Sequence, residues 1–313
     1  MKGLKILFFG TPEFAVPSLL KIIHSNHQIV GVVTQPDKPR GRGKKVFPSP
    51  IKEVALRYNL SPIFQPETLK DEKFITILSG IPAELYVVVA FRILPEIVFK
   101  IPAAGTINLH PSLLPKFRGA APINWTIISG EKETGNTIIK ITREVDAGEI
   151  ILQKRTEIFP DETAGELHDR LSESGAELLL DAVNLVLSGN YESSPQNNQL
   201  SSPAPKLTKE QCHLSFAKPV LEVKNWIHGL SPFPTGFAYH REERINFYRA
   251  RISDNRQVQE APGTILKSEP GKLEIVCAPG IIEILELQKE GKKRLPAGDF
   301  IRGYELKAGD RFL

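Results

Sequence analysis

The sequence predicts an α/β fold followed by a smaller, strand-rich domain, and three observations predict it. A continuous apolar run at residues 4–9 ends in Gly10-Thr11-Pro12, and apolar residues then recur at Phe14, Val16, Leu19, Leu20 and Ile23: strand, turn, helix. A second run at 85–91 is dense in β-branched residues, as in a strand buried on both faces of a parallel sheet. From 189 to 206 the chain is rich in Ser, Asn and Pro without an apolar period, and short apolar runs between Gly and Pro turns follow, the pattern of a small barrel. The expected division is a first domain at 1–188, a linker at 189–206 and a second domain at 207–313.

Composition bounds the function. With 313 residues and 41% hydrophobic content, the chain can bury the cores of two domains and is not disordered. Forty basic residues against 36 acidic ones give a formal charge of +4, too mild to mark a nucleic-acid binder by its sum, so the placement of charge matters more. Cys212 and Cys277 have neither Cys-x-x-Cys spacing nor a nearby His pair. That argues against a zinc site or a disulfide framework and fits a reducing cytoplasm. The apolar run after Lys5 is too short for a signal peptide, and none approaches about twenty residues, so neither export nor a membrane span is expected.

In chain order, Thr11 is placed to cap the first helix and Pro12 to occupy its first position. The glycines there do not form Gly-x-Gly-x-x-Gly, which argues against dinucleotide binding. A second strand at 28–34 runs into a basic stretch carrying Lys38, Arg40, Arg42, Lys44 and Lys45 against Asp37. Its glycines, with Pro36, Pro39 and Pro48, predict an irregular, mobile, exposed arm. Such a run can be plain solvated surface. It also leaves a strand end, where parallel sheets place their sites, and its cations suit phosphates.

Residues 51–58 read as a helix and 105–110 as a strand tip. In an extended backbone Asn108 and His110 share a face, and Pro111 stops the pairing beyond them. Alone, an Asn-x-His is a solvated strand end. Asp146, in a turn after the strand-like run 136–142, changes that reading, because a carboxylate beside an imidazole stabilises the imidazolium. Residues 120–128 read as a helix covering the sheet with Trp125 in the core, 149–156 as a strand, and 163–187 as a long amphipathic helix holding His168 as a surface or packed residue. A helix at 220–228 and strands at 262–266, 272–277 and 280–287 follow.

Asn108, His110, the run SLLP at 112–115, Arg118-Gly119 and Asp146 together resemble the signature of folate-dependent formyltransferases, and the similarity runs from residue 4 to the C-terminus. Residues 35–50 resemble the basic loop of the tRNA-specific branch of that family. The resemblance implies a Rossmann-like, mostly parallel sheet with helices on both faces and a C-terminal OB-like β-barrel. It implies 10-formyltetrahydrofolate as donor co-substrate, no metal, and initiator Met-tRNA as acceptor, on a protein expected to be a monomer. Asn108 would donate to the oxyanion, and His110, kept protonated by Asp146, would donate to it or to the departing N10. Ser112, Leu113, Leu114 and Pro115, with Phe91, Arg92, Ile93 and Leu94, would contact folate. Lys38, Arg40, Arg42, Lys44 and Lys45 would enter the acceptor stem, Arg42 foremost, and Lys206 and Lys209 would add charge from the second domain.

Two departures stand out. The segment Phe91-Arg92-Ile93-Leu94 is one residue shorter than in the tRNA-specific branch and looks like the glycinamide ribonucleotide formyltransferases, so Ile93 and Leu94 can equally be core residues. Residues 232–237 (PFPTGF) replace a usual Pro-Trp-Pro. A formyltransferase for a small amine such as an amino sugar or glycinamide ribonucleotide, a formyltetrahydrofolate deformylase, and a non-catalytic RNA-binding protein are the alternatives.

Overall fold

The computed structural model describes residues 3–40, 45–269 and 271–313. Its first nine strands are β1 (Lys5–Gly10), β2 (Gln28–Val33), β3 (Lys38–Arg40), β4 (Lys45–Phe47), β5 (Ile63–Phe64), β6 (Leu85–Val89), β7 (Thr106–His110), β8 (Glu133–Lys140) and β9 (Ile150–Glu157). The helices are α1 (Val16–Ile23), α2 (Pro50–Arg57), α3 (Glu72–Gly80), α4 (Glu96–Phe99), α5 (Pro122–Ile128), α6 (Ala164–Ser188), α7 (Val220–Leu230) and α8 (Ala297–Gly303).

Seven strands form one sheet in the order β5-β2-β1-β6-β7-β8-β9. The pairings from β5 to β7 are parallel, and β8 runs antiparallel to β7. The chain builds outward from β1 to β5, then returns to the other side of β1 at β6, so the strand order reverses there. Ligands of open α/β sheets bind beyond the carboxyl ends of the strands near such a reversal.

Register sorts the two faces. Phe9 pairs with Val88 and Val88 with Asn108, so these three point the same way. Leu7, Phe9, Tyr86 and Val88 pack with Phe74 and Leu78 of α3 and Val98 and Phe99 of α4. On the opposite face Leu109 lies against α6, where a Cβ on Gly175 would stand 2.9 Å from Leu109 Cδ2. Helices therefore cover both faces, as expected.

Two compact units divide the chain discontinuously. The first comprises Met1–Gly119, Thr134–Thr156 and His168–Pro203, and the second Ala120–Glu133, Glu157–Leu167 and Ala204–Leu313. In the second unit, β10 (Gly236–His240), β11 (Glu243–Asp254), β12 (Ile265–Glu269), β13 (Lys272–Cys277), β14 (Gly280–Lys289) and β15 (Leu295–Pro296) make an antiparallel sheet in the order β10-β11-β14-β13-β12, with β15 on β14. This pairing establishes the sheet rather than the closed barrel of the expectation. The sequence reading lacked β10 and β11. Along β11 the register shifts between Phe247 and Arg249 and again before Ala250, which breaks the alternation that betrays a strand.

Three local expectations are corrected. Thr11 does not cap a helix: its buried hydroxyl has no partner among the described residues, and the chain enters α1 through a 3₁₀ turn at Glu13–Ala15 with Pro12 before it. The basic stretch is not irregular throughout, since β3 and β4 pair as an antiparallel ribbon with Lys38 opposite Phe47. A two-stranded ribbon tolerates Pro39 because a proline needs only to turn its missing N–H outward. Finally, α5 is not grouped with the parallel sheet. It belongs to the second unit, where Trp125 packs edge-to-face on Trp226 of α7 at 5.8 Å and donates from Nε1 to the Pro205 carbonyl at 2.8 Å.

Candidate active site

His110 is the last residue of β7, and Pro111 cannot extend the ladder. The chain turns back at once, the Ser112 N–H donating to the His110 carbonyl at 3.0 Å. The loop that follows is built on Thr137 of β8. Its hydroxyl donates to the Ser112 carbonyl at 2.6 Å and accepts from the Leu114 N–H at 3.2 Å and from the Gln153 amide at 2.8 Å. The same Gln153 amide donates to the Leu114 carbonyl at 3.0 Å. These bonds fix the loop.

The loop curls over the imidazole. Phe117 adopts φ 61° and Gly119 φ 126°, and the Phe117 carbonyl comes 2.9 Å from His110 Nε2. A carbonyl only accepts, so Nε2 carries a proton. Nδ1 faces Asp146 Oδ2 at 3.5 Å, and that oxygen accepts from the Gly119 N–H at 2.9 Å. His110 is 4% exposed and the Asp146 carboxylate 14%. Asp146 sits at φ 54°, a left-handed conformation that aspartate tolerates better than most residues.

Asn108 lies on the same face two residues earlier, half-buried, and its side-chain amide makes no hydrogen bond to a described residue. The structure thus brings the three residues of the expected constellation to one strand end and one turn. It leaves Asn108 as the member with free donors, while both ring nitrogens of His110 face protein acceptors.

The expected folate contacts divide. Ser112 and Leu114 are buried, and the Ser112 hydroxyl is committed to the Lys116 carbonyl at 2.7 Å. Leu113 and Pro115 are half-buried. After β6, Leu94 enters the core, in keeping with the core reading of that segment, whereas Ile93 is 72% exposed. Phe91 is half-buried, and the Arg92 guanidinium lies 5.4 Å from its ring centroid. Arg92 donates to the Pro66 and Glu67 carbonyls at 2.8 and 2.9 Å, but its buried Nε has no partner among the described residues. No main-chain group of residues 91–94 bonds to another described main-chain group.

Of the expected tRNA contacts, Lys38, Lys206 and Lys209 are exposed. Arg40 and Lys45 sit opposite each other in the ribbon, and Arg42 and Lys44 lie outside the described residues. The ribbon's root is fixed. Lys52 donates to Asp37 at 2.6 Å and to Gln65 at 2.7 Å, and Gln65 donates to Asp37 at 2.7 Å. Those bonds, the one from Lys52 foremost, hold the Asp37 carboxyl below the usual carboxylate range, so the arm's one acidic residue is already neutralised at its base.

Sequence reasoning missed Phe117, Thr137, Gln153 and Gln196. Gln196 lies in the expected linker and joins Arg118 to the Asp146 turn. Of these, only Gln153 and Thr137 had a signal, as polar residues within strand-like runs. A cavity of about 260 Å³ lies within the second unit, lined among others by Trp125, His213, Lys218 and Trp226, and it contains none of the residues expected to react or bind folate.

A model of the formyl transferase family matches residues 4–183, and a model of the formyl transferase C-terminal domain matches residues 206–305. This chain belongs to the formyl transferase family. The methionyl-tRNA formyltransferase of Syntrophus aciditrophicus is 43% identical over 310 residues, 99% of each chain. That of Alkaliphilus oremlandii is 42% identical over 308 residues, 98% of this chain and 99% of the relative. Among solved structures, an N-formyltransferase from Helicobacter canadensis in complex with folinic acid and dTDP-3-aminofucose has a TM-score of 0.65 at 21% identity, covering 91% of this chain and 99% of that one. HypX from Aquifex aeolicus in complex with tetrahydrofolic acid has a TM-score of 0.64 at 16% identity, covering 99% of this chain and 50% of that one. At these identities the likeness shows the fold. No helix among the described residues is long and apolar enough to cross a membrane.

Proposed function

We propose that this member of the family transfers the formyl group of 10-formyltetrahydrofolate to the free α-amine of methionine on initiator Met-tRNA. The observation that carries the chemistry is the unpartnered Asn108 amide beside a His110 held between Asp146 and the Phe117 carbonyl. The acceptor rests on two supports, near-complete coverage at above 40% identity to relatives named methionyl-tRNA formyltransferase and the basic ribbon leaving β2. The chemistry belongs to the first unit, and tRNA contacts are shared with Lys206 and Lys209 of the second.

The residues after β6 suit a folate. The main chain of 91–94 is unengaged, Arg92 Nε is a buried donor without a partner, and Ile93 offers exposed apolar surface. These would hold the pterin end, with the loop at 112–115 beside them. When bound, the donor supplies a formyl group on N10. The substrate amine is the nucleophile, so the protein needs no nucleophilic side chain. The new bond joins the amine nitrogen to the formyl carbon, the bond to N10 breaks, the amine loses a proton and N10 gains one. Asn108 donates to the carbonyl oxygen as negative charge develops on it. His110 supplies a proton from Nε2, which the substrate must win from the Phe117 carbonyl, and Asp146, facing Nδ1, relays the amine's proton through water.

Transfer of labelled formyl to initiator Met-tRNA, run beside free methionine and glycinamide ribonucleotide, tests this. Product on the charged tRNA alone supports it. Transfer only to the small amine favours the reading hinted at by the short 91–94 segment, and release of formate indicates a deformylase.

A further inference from the structure

Residues 189–206 have a linker's composition, yet the part of this segment within the first unit is fastened along the two loops that hold His110. Ser194 exchanges main-chain hydrogen bonds with Ile150 at 2.8 and 2.9 Å, just beyond the Asp146 turn. Eight residues on, the Ser202 carbonyl accepts from the Arg118 N–H at 2.9 Å and its hydroxyl from the Phe117 N–H at 2.9 Å. Between these fastenings lies Gln196, half-buried. Its carbonyl oxygen accepts from Arg118 Nε at 3.1 Å and Nη2 at 2.6 Å, and its amide nitrogen donates to the Asp146 and Gly148 carbonyls, both at 2.8 Å. Asn198 takes a further bond from Arg118 Nη2 at 2.8 Å.

We propose that Gln196 is a positioning residue for the transfer reaction, holding the Asp146 carboxylate against His110 by clamping the Asp146 turn to Arg118. The inference rests on the functional reading above. Arg118 has donors only and the carbonyls of Asp146 and Gly148 are acceptors only, and Gln196 stands between them, bonded to both sides. A primary amide, with its acceptor toward the guanidinium and its donors toward the carbonyls, joins them in one orientation. The consequence falls on His110. Phe117 O and Asp146 Oδ2 are the two acceptors facing its ring, they lie 29 residues apart in sequence, and this segment is bonded to the loops carrying both. The left-handed φ of 54° at Asp146 adds to the need, because a turn in that conformation keeps its place only when surrounding bonds over-determine it.

Gln196→Glu separates the two halves of the clamp. A carboxylate still accepts from Arg118, but it turns an acceptor toward the Asp146 and Gly148 carbonyls. Gln196→Met removes both halves without adding charge. Both variants are expected to lower kcat for formylation of Met-tRNA by about 10- to 100-fold, the scale on which misplaced catalytic groups cost rate. KM for the charged tRNA should stay within about twofold, since no substrate contact is removed. In the full-length protein the ¹⁵N shift of His110 Nδ1, assigned by its loss in His110→Asn, is expected to differ between wild type and Gln196→Glu. A kcat within about twofold of wild type in both variants, an effect confined to KM, or an unchanged Nδ1 resonance overturns the inference. A wild-type protein that formylates no Met-tRNA overturns the functional reading instead, and the resonance then still decides whether Gln196 positions Asp146.

Discussion

Thr137→Val removes one hydroxyl from a fully buried site and leaves the side-chain shape intact. Three hydrogen bonds are lost at once. Gln153 keeps its bond to the Leu114 carbonyl, but the Ser112 carbonyl and the Leu114 N–H, both on buried residues, lose the partners they had at 2.6 and 3.2 Å. Each of the two orphaned groups costs about 1–3 kcal/mol, and the added methyl returns about 0.8 kcal/mol, which leaves a net loss of about 1–5 kcal/mol. At about 1.4 kcal/mol per decade, amides of β7 and β8 that exchange through opening of the first unit should lose about 5- to 4,000-fold in protection. Amide exchange is the suitable assay, because both tryptophans, Trp125 and Trp226, lie in the second unit and their fluorescence reports on that unit alone. Formyl transfer should fall as well, since this loop carries the Phe117 carbonyl to His110. A loss of protection below about threefold, roughly 0.6 kcal/mol, would refute the claim that Thr137 organises the loop.

Asn108→Ala should lower turnover by about 10² to 10³ while leaving folate affinity nearly intact, as expected when one oxyanion donor is lost, and near-normal turnover would remove Asn108 from the mechanism. Arg42→Leu should abolish transfer to charged tRNA with folate binding unchanged; weaker folate binding would put that loop at the other substrate. His228 is buried in the second unit and accepts from the Ala250 N–H at 3.1 Å, and burial pushes its pKa down to about 4. The unfolded chain therefore takes up a proton near pH 6.5 that the folded chain refuses, so the stability from keeping this imidazole neutral is complete above that pH and is lost as pH falls through about 4. The loss amounts to about 3 kcal/mol, and tryptophan-monitored unfolding of His228→Gln should lack that slope; an identical slope would assign it to other groups.

Much of the secondary structure in both units is legible because burial has a local signature. β1, β2, β6, β13 and α6 are each close to a run or period visible in the sequence, and Asn108 and His110 could be placed on one face because strand side chains alternate and Pro111 ends the strand. The same reasoning failed where local pattern and pairing part company. Prolines argued against structure at 38–47, where a ribbon survives on pairs that avoid the missing N–H. Register shifts hid β11, and the apolar face of α5 signalled burial without saying against what, so the helix was given to the wrong core.

By itself, then, the sequence determined the period of each element, the shared face of Asn108 and His110, and the concentration of charge between β2 and α2. It did not determine what His110 touches. That Phe117 offers a carbonyl to Nε2 depends on two left-handed residues curling the loop, and that Asp146 faces Nδ1 depends on a glutamine fifty residues further along the chain. Period is a property of neighbouring residues and can be read along the chain. A hydrogen-bond partner is chosen by packing, which brings distant residues within 3 Å and leaves no trace in the spacing of either one.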